Sequence, residues 1–275
     1  MKYTRRTPDS TVNLPTRHPL VDLAWLSGGL AGLTIIVFLT AGLIVDALVK
    51  YIPSTADNGL ANTISTQLEK SFGEAIKEGQ LHDETQRLFD TLATYLPADD
   101  LRNHKLLVID DDTVNAMAAP GGVIVVFRGL LEQANSENEV AFVLAHEYGH
   151  LYHKHHWQRL GRGLFFGAIM AVVFGQQDAF QSQLGMAPLT GLQQRHNRQD
   201  ESQADQFALN VVCRHYGHAS GATDFFARHA NPNDEPGLLS AFMMTHPLSS
   251  DRIADLQRRA IDLDCGGGET TPWVR

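Results

Sequence analysis

Ala24 opens a run of 22 positions, closed by Val45, that carries no charged side chain. A helix of that length spans about 33 Å, which matches a hydrocarbon core of about 30 Å. Gly28, Gly29, Gly32 and Gly42 inside it would weaken a water-soluble helix but are tolerated in lipid. Further on, apolar residues recur at helical spacing, first at Leu60, Ile64, Leu68 and Phe72 and then at Leu81, Leu88, Leu92 and Leu96. This predicts two helices, broken at Gly79 and closed by Pro97. Leu106, Leu107, Val108 and Ile109 form a short strand pattern. A second strand runs through Val123, Ile124, Val125, Val126 and Phe127, entered by a hairpin-like turn at Pro120, Gly121 and Gly122. Residues 140–150 read as a buried helix. Residues 164–175 are apolar but too short to span a bilayer, so they predict a buried or membrane-skimming helix. The Gln- and Gly-rich stretch 176–194 predicts a loop. Ala204, Ala208, Leu209 and Val212 stripe another helix, and Ile253, Leu256 and Ile261 a last one that Ser250 can cap.

A cleaved signal sequence has a shorter apolar core, about 7–15 residues, followed by small residues at a cleavage site. Asp46 to Tyr51 offers no such site, so the first run is read as an uncleaved anchor. Four basic residues (Lys2, Arg5, Arg6, Arg17) precede it and only Lys50 follows closely. The positive-inside rule then places the N-terminus in the cytoplasm and the larger part of the chain on the outer, periplasmic or extracellular, side of what is expected to be a bacterial inner membrane. The expected organisation is a short tail (1–22), an anchor (23–49), a linker and helical brace (50–100) and a main domain (101–275).

Charge narrows the partners. The chain of 275 residues has net charge −9, and the first 49 residues hold four basic and three acidic groups, so the body carries −10. An acidic body argues against nucleic acid as a partner. The two cysteines, Cys213 and Cys265, exclude a disulfide scaffold or a Cys-rich zinc ribbon. One bridge in an oxidising compartment and two free thiols both fit. Asp110, Asp111 and Asp112 read as a solvated turn rather than a cation site.

The buried helix ends in His146-Glu147-Tyr148-Gly149-His150. Positions i and i+4 share a helical face, so both imidazoles can aim at one ion, and two neutral imidazoles suit Zn²⁺. Glu147 lies beside that point, placed to take a proton from a metal-bound water. Asn135 or Ser136 can cap the helix, with Glu137 and Glu139 in the first turn, where the dipole favours negative charge. Downstream, Glu201 can complete a His₂Glu site, and Asp205, one turn on, can hydrogen-bond a ligating histidine. His246 precedes a proline and is held extended, so it can reach back to the site. His156 falls where a longer zinc motif has its last ligand, but His153 stands at that motif's glycine. The helix is therefore expected to continue, with His153, His155 and His156 exposed beyond the site. The strand Val123, Ile124, Val125 and Val126 is expected to offer a free edge to a substrate peptide.

These motifs occur in a familiar order: an Asn115 to Leu131 segment with Pro-Gly-Gly and Arg-Gly-Leu-Leu, then His-Glu-x-x-His, then Glu201 and Asp205, then His246-Pro247 with Arg252-Ile253. The chain resembles the HtpX and type I CaaX prenyl protease family of gluzincin zinc peptidases over residues 60–262. The resemblance implies an α+β, mainly helical, zincin-type domain with a small sheet behind a single membrane helix. It implies one Zn²⁺ on His146, His150 and Glu201, Glu147 as general base, Asp205 as a support for a ligand, and His246 as a transition-state stabiliser. A single anchor resembles the envelope quality-control members more than the polytopic ones. The expected activity is endopeptidase cleavage of extended, unfolded or misassembled polypeptide. The rival is a non-catalytic or latent chaperone or assembly factor that keeps zinc as a staple. A structural site is closed by a fourth protein ligand, and a catalytic one keeps a corner open.

Overall fold

The computed structural model describes residues 18–98, 100, 103–174, 198–224, 228, 245–246 and 250–274. The expected loop at 176–194 and Pro247 lie outside them. The chain divides into two units, residues 1–44 and 45–275. The first is most of helix α1 (Pro19–Val49), the one helix among the described residues long and apolar enough to cross a membrane. Its apolar side chains are exposed, Trp25 at 73% and Leu43 at 71%.

In the second unit, α2 (Ala61–Phe72) and α3 (Gln80–Ala93) lie where the spacing predicts them. A four-stranded sheet has the order β1 (Ala75–Ile76), β2 (Lys105–Ile109), β4 (Val123–Phe127), β3 (Ala116–Ala119). β2 runs parallel to β4, and β3 pairs with β4 as an antiparallel hairpin across the Pro-Gly-Gly turn. Gly121 has φ +91°, and a Cβ there would lie 2.8 Å from the Ala61 nitrogen, so the turn can sit against α2 only as glycine.

Alternation along the strands splits the sheet between two apolar layers. Leu107, Ile109, Val123, Val125 and Phe127 face Ile64 and Leu68 of α2. Leu106, Val108, Ile124 and Val126 face the main core, which includes Leu88, Phe89 and Leu92 of α3 and the apolar residues of α5 (Glu137–Tyr152). The segment 50–100 thus supplies part of the second unit's core. Short α4 (Arg128–Gln133) follows β4. Arg128 pairs with Asp110 at 2.7 Å and with Asp112, and the Asp111 carboxylate accepts from the Thr113 amide, so the aspartate turn is a salt-bridged turn.

α5 is fully buried along most of its length. Ser136 caps it by accepting from the Glu139 amide at 3.3 Å, and the Glu139 carboxylate accepts from the Asn135 amide at 3.0 Å. Such a cap is typically worth about 1 kcal/mol. After Tyr152 the chain does not continue as helix. Lys154 takes φ +62°, and α6 (His155–Phe174) starts in a new direction. α7 (Arg198–Tyr216) packs along α5, and α8 (Ser250–Asp262) packs on α7. A Cβ on Gly149 would come within 2.9 Å of the Ala204 Cα. This glycine between His146 and His150 lets α7 approach closely enough for its acids to reach the α5 histidines. Cys213 and Cys265 form a disulfide with Cα atoms 5.9 Å apart, which selects the bridged alternative and ties the end of α8 to α7.

Candidate metal centre

His146 and His150 on α5 bring their Nε2 atoms to 3.0 Å from each other. Glu201, from the first turn of α7, places Oε1 3.4 Å from His150 Nε2 and Oε2 3.6 Å from His146 Nε2. His246 adds Nδ1 at 3.3 Å from His146 Nε2 and 3.1 Å from Glu201 Oε1. Ligand atoms of all four residues lie within 4.8 Å of one another, and all four are buried. The three residues expected from the sequence converge, and His246 joins them as a fourth.

Each α5 histidine is oriented through its other nitrogen. His146 Nδ1 lies 3.0 Å from Asp205 Oδ1. A proton on that nitrogen faces the carboxylate and leaves the Nε2 lone pair on the cluster side. His150 Nδ1 lies 2.8 Å from His155 Nδ1, and His155 Nε2 lies 3.0 Å from Gln203 Oε1. Gln203 Oε1 can only accept, so His155 donates to it from Nε2 and accepts from His150 through Nδ1. His150 Nε2 is then also left with its lone pair on the cluster. His155 was expected to be exposed. The reversal at Lys154 instead turns it inward, 1% exposed, and His156, 2% exposed, is buried with its Nε2 3.4 Å from Asp57 Oδ2. His156 is no ligand here.

Arg252 from α8 binds both acids. Its Nη1 is 2.6 Å from Glu201 Oε2, and its Nη2 donates to Asp205 Oδ1 at 2.7 Å. Burial raises the Glu201 carboxyl, but His246, Arg252 and the two α5 histidines more than offset this and hold it well below the carboxylate range. Burial lowers His146, yet Asp205 and Glu201 overcome it and raise the imidazole to about 9. Burial keeps His150 well below its usual value and therefore neutral.

Glu147 is fully buried, and neither oxygen accepts a hydrogen bond among the described residues. Its near polar neighbour is His246 Nε2, 3.4 Å from Oε1. A naked buried carboxylate is costly unless chemistry uses it. The arrangement also fits a divalent cation. Among the described residues, the buried Arg159 and Arg252 face the buried acids Glu147, Asp200, Glu201 and Asp205. Ligation would strip the proton that His146 carries in the metal-free site; with the imidazoles neutral these groups sum to two negative charges, which one divalent ion cancels. The donor set, imidazole and carboxylate, is that of Zn²⁺.

The expected peptide-binding strand is corrected by the sheet order. Val123, Ile124, Val125 and Val126 pair with β2 on one side and β3 on the other, so β4 has no free edge. The outer strand on that side is β3, whose residues are themselves buried.

The family model for peptidase family M48 matches residues 75–260. The mitochondrial metalloendopeptidase OMA1 of Schizosaccharomyces pombe is 31% identical over 156 residues, covering 56% of this chain and 45% of that protein. The beta-barrel assembly-enhancing protease of Escherichia coli is 26% identical over 166 residues, 56% of this chain and 34% of that protein. The chain therefore spans less than half the length of these relatives.

Proposed function

Because the chain belongs to peptidase family M48, we propose that it is a membrane-anchored zinc metalloendopeptidase, held latent in the conformation described here. The observation that carries this reading is the convergence of His146, His150 and Glu201 around one point with an unbonded Glu147 carboxylate beside it. A purely structural metal site has no use for that carboxylate.

His146, His150 and Glu201 would hold the ion. Bound zinc supplies a Lewis acid that polarises a peptide carbonyl and brings the pKa of a bound water towards about 7. Glu147 takes the water's proton as the carbonyl is attacked and returns it to the leaving amine. Asp205, and His155 backed by Gln203, fix the two imidazoles so that no reorganisation is needed. Arg252 keeps Glu201 and Asp205 ionised.

His246 closes the fourth corner instead of standing beside it. We read it in this position as the group that keeps water and substrate out until it swings away. The substrate is an extended, unfolded or misassembled polypeptide, and the edge open to pairing once the site is uncovered is β3 rather than β4. The names of the relatives, one a mitochondrial and one a beta-barrel assembly protease, support a role in protein quality control at a membrane. α1 is the anchor, and the disulfide supports an oxidising, outer location for the body. The test compares wild type with Glu147→Gln for zinc content and casein cleavage. Equal zinc with cleavage lost supports the reading, and retained cleavage sinks it.

A further inference from the structure

We propose that the stretch of β2 left uncovered by β1 is a docking groove for an extended, acidic stretch of the substrate polypeptide, which adds to the sheet there as a short strand. Calling the occupant a substrate rests on the protease reading above; the groove itself does not.

β1 is too short to finish the ladder it begins. Its two residues pair Ala75 with Ile109 and Ile76 with Val108. The Asp110 amide donates to the Glu74 carbonyl at 3.0 Å, so the even-numbered residues of β2 turn their N–H and C=O toward β1. The Lys105 amide donates to the Gly122 carbonyl at 3.0 Å, so the odd-numbered ones turn toward β4. The next rung on the β1 side is therefore Leu106, and by register its partner would be Glu78. The chain leaves before that rung. It turns at Gly79, which has φ +107° and open space around its Cβ position, and begins α3 at Gln80. Among the described residues the Leu106 N–H and C=O have no backbone partner.

A cavity of about 350 Å³ lies along this stretch of β2. Asn62, Ser65 and Thr66 of α2 form one wall, and His82 of α3 lines it too. Ser65 is 4% exposed, yet its Oγ has no hydrogen-bond partner. A buried hydroxyl in that state calls for a partner, and an incoming strand brings amides and carbonyls. A strand laid here alternates its side chains as β1 does. The residue opposite Leu106 turns toward α3, and its two neighbours turn toward α2 and Lys105. Lys77 already faces Glu69 at 3.6 Å. Lys105 instead donates its Nζ to the neutral Asn62 Oδ1 at 3.3 Å, and among the described residues no carboxylate pairs with it. An acidic side chain on the docked strand supplies that carboxylate. Folded proteins keep their strands paired or protected, whereas an unfolded chain offers free backbone, so the occupant is an extended polypeptide. The opposite edge of the same sheet is β3, the edge proposed above to pair with substrate. A chain held at both edges stays bound longer than one held at either.

The test uses the full chain, zinc-loaded and carrying Glu147→Gln so that no probe is cut. The readout is the fluorescence anisotropy of a labelled Thr-Asp-Val-Asp-Thr peptide, with a counterpart carrying lysine for aspartate. The acidic peptide should bind at least about tenfold tighter than the basic one. N-methylation of its valine removes the amide that the Leu106 carbonyl would accept from, and should weaken binding by about tenfold. Hydrogen exchange at the Leu106 amide should slow in the complex. Lys105→Glu should reverse the charge preference, and unlabelled casein, an acidic unfolded chain, should displace the peptide. No binding of the acidic peptide, full binding of the N-methylated one, or unchanged exchange at Leu106 overturns the added strand. A Lys105→Glu variant that keeps the acidic preference places the peptide elsewhere and overturns the groove. Casein that fails to compete, or a dimer of this chain that the peptide dissolves, overturns the substrate assignment. None of these readouts needs cleavage, so failure of the groove and failure of the protease reading are told apart.

Discussion

The Nδ1 atoms of His150 and His155 lie 2.8 Å apart, and Gln203 on another helix decides which of them carries the proton. His155 is thus tied to the metal site without touching the metal. Supports of this kind typically matter by 10–100-fold in metal affinity, an order-of-magnitude expectation. His155→Ala should weaken zinc binding by about that factor while leaving the fold intact, as read by chelator competition and circular dichroism. His155→Gln, which can still accept from His150, should recover part of the loss. Unchanged affinity in the alanine variant would show that the contact orients nothing.

Arg252, itself largely buried, faces two buried carboxylates. Removing one partner of such a buried group typically costs about 3–5 kcal/mol, because the remaining charges are left uncompensated. Arg252→Met in metal-stripped protein should therefore lower the thermal midpoint by roughly 6–20 °C, taking about 2–4 °C per kcal/mol for a body of this size. Adding zinc should restore part of the difference, since the ion takes over the charge of Glu201. A midpoint within 2 °C or so of wild type, on the same scale, would remove Arg252 from the electrostatics of the site.

The residues whose chemistry depends on local spacing were legible in the sequence. His146, His150 and Glu147 follow from helical geometry, and Glu201 with Asp205 from the same rule applied to a second apolar stripe. What was not legible depended on backbone events and pairings that leave little local signal. The inward turn of His155 and His156 depends on Lys154 adopting a left-handed conformation, which a lysine seldom does. The place of β4 inside the sheet depends on β2 pairing with it in parallel, a long-range choice that alternation along either strand cannot reveal. One signal was available for Arg252: a basic residue in a late motif of an acidic chain, with two buried carboxylates predicted elsewhere.

Metal-free protein should show its own pH dependence. His146 sits at about 9 in the fold, against an ordinary value of about 6.5 when unfolded. Its contribution to stability is therefore fully present below about 6.5 and is lost as pH rises through about 9. Burial holds His155 down, to about 3, so its effect is confined to acid pH. Burial raises Tyr148 and Tyr216, so theirs begins only above the ordinary tyrosine value. The thermal midpoint of the stripped protein should fall between about pH 7 and pH 9.5, the window bracketed by these values. The zinc-loaded protein should lack this fall, because its His146 is already deprotonated. A flat profile for the stripped protein would contradict the Asp205–His146–Glu201 arrangement.

The sign of the His246→Ala effect separates two roles for one ring. As a transition-state donor, its loss would cost about 10²–10³ in turnover. As the occupant of the fourth corner, its loss should instead open the site. If closure is favoured by about 1.4–2.8 kcal/mol, only about 1–10% of molecules are competent, and removing the ring should raise casein cleavage about 10- to 100-fold. The position of Nδ1, 3.1 Å from Glu201 Oε1 and 3.3 Å from His146 Nε2, favours the second role. Zinc should remain bound in the variant, since His146, His150 and Glu201 are untouched, though chelators should remove it faster. The double variant His246→Ala with Glu147→Gln should be silent, which ties any new cleavage to this site. Lower cleavage in His246→Ala at full zinc occupancy would mean that the ring works in turnover and that the closed corner is not what restrains the enzyme.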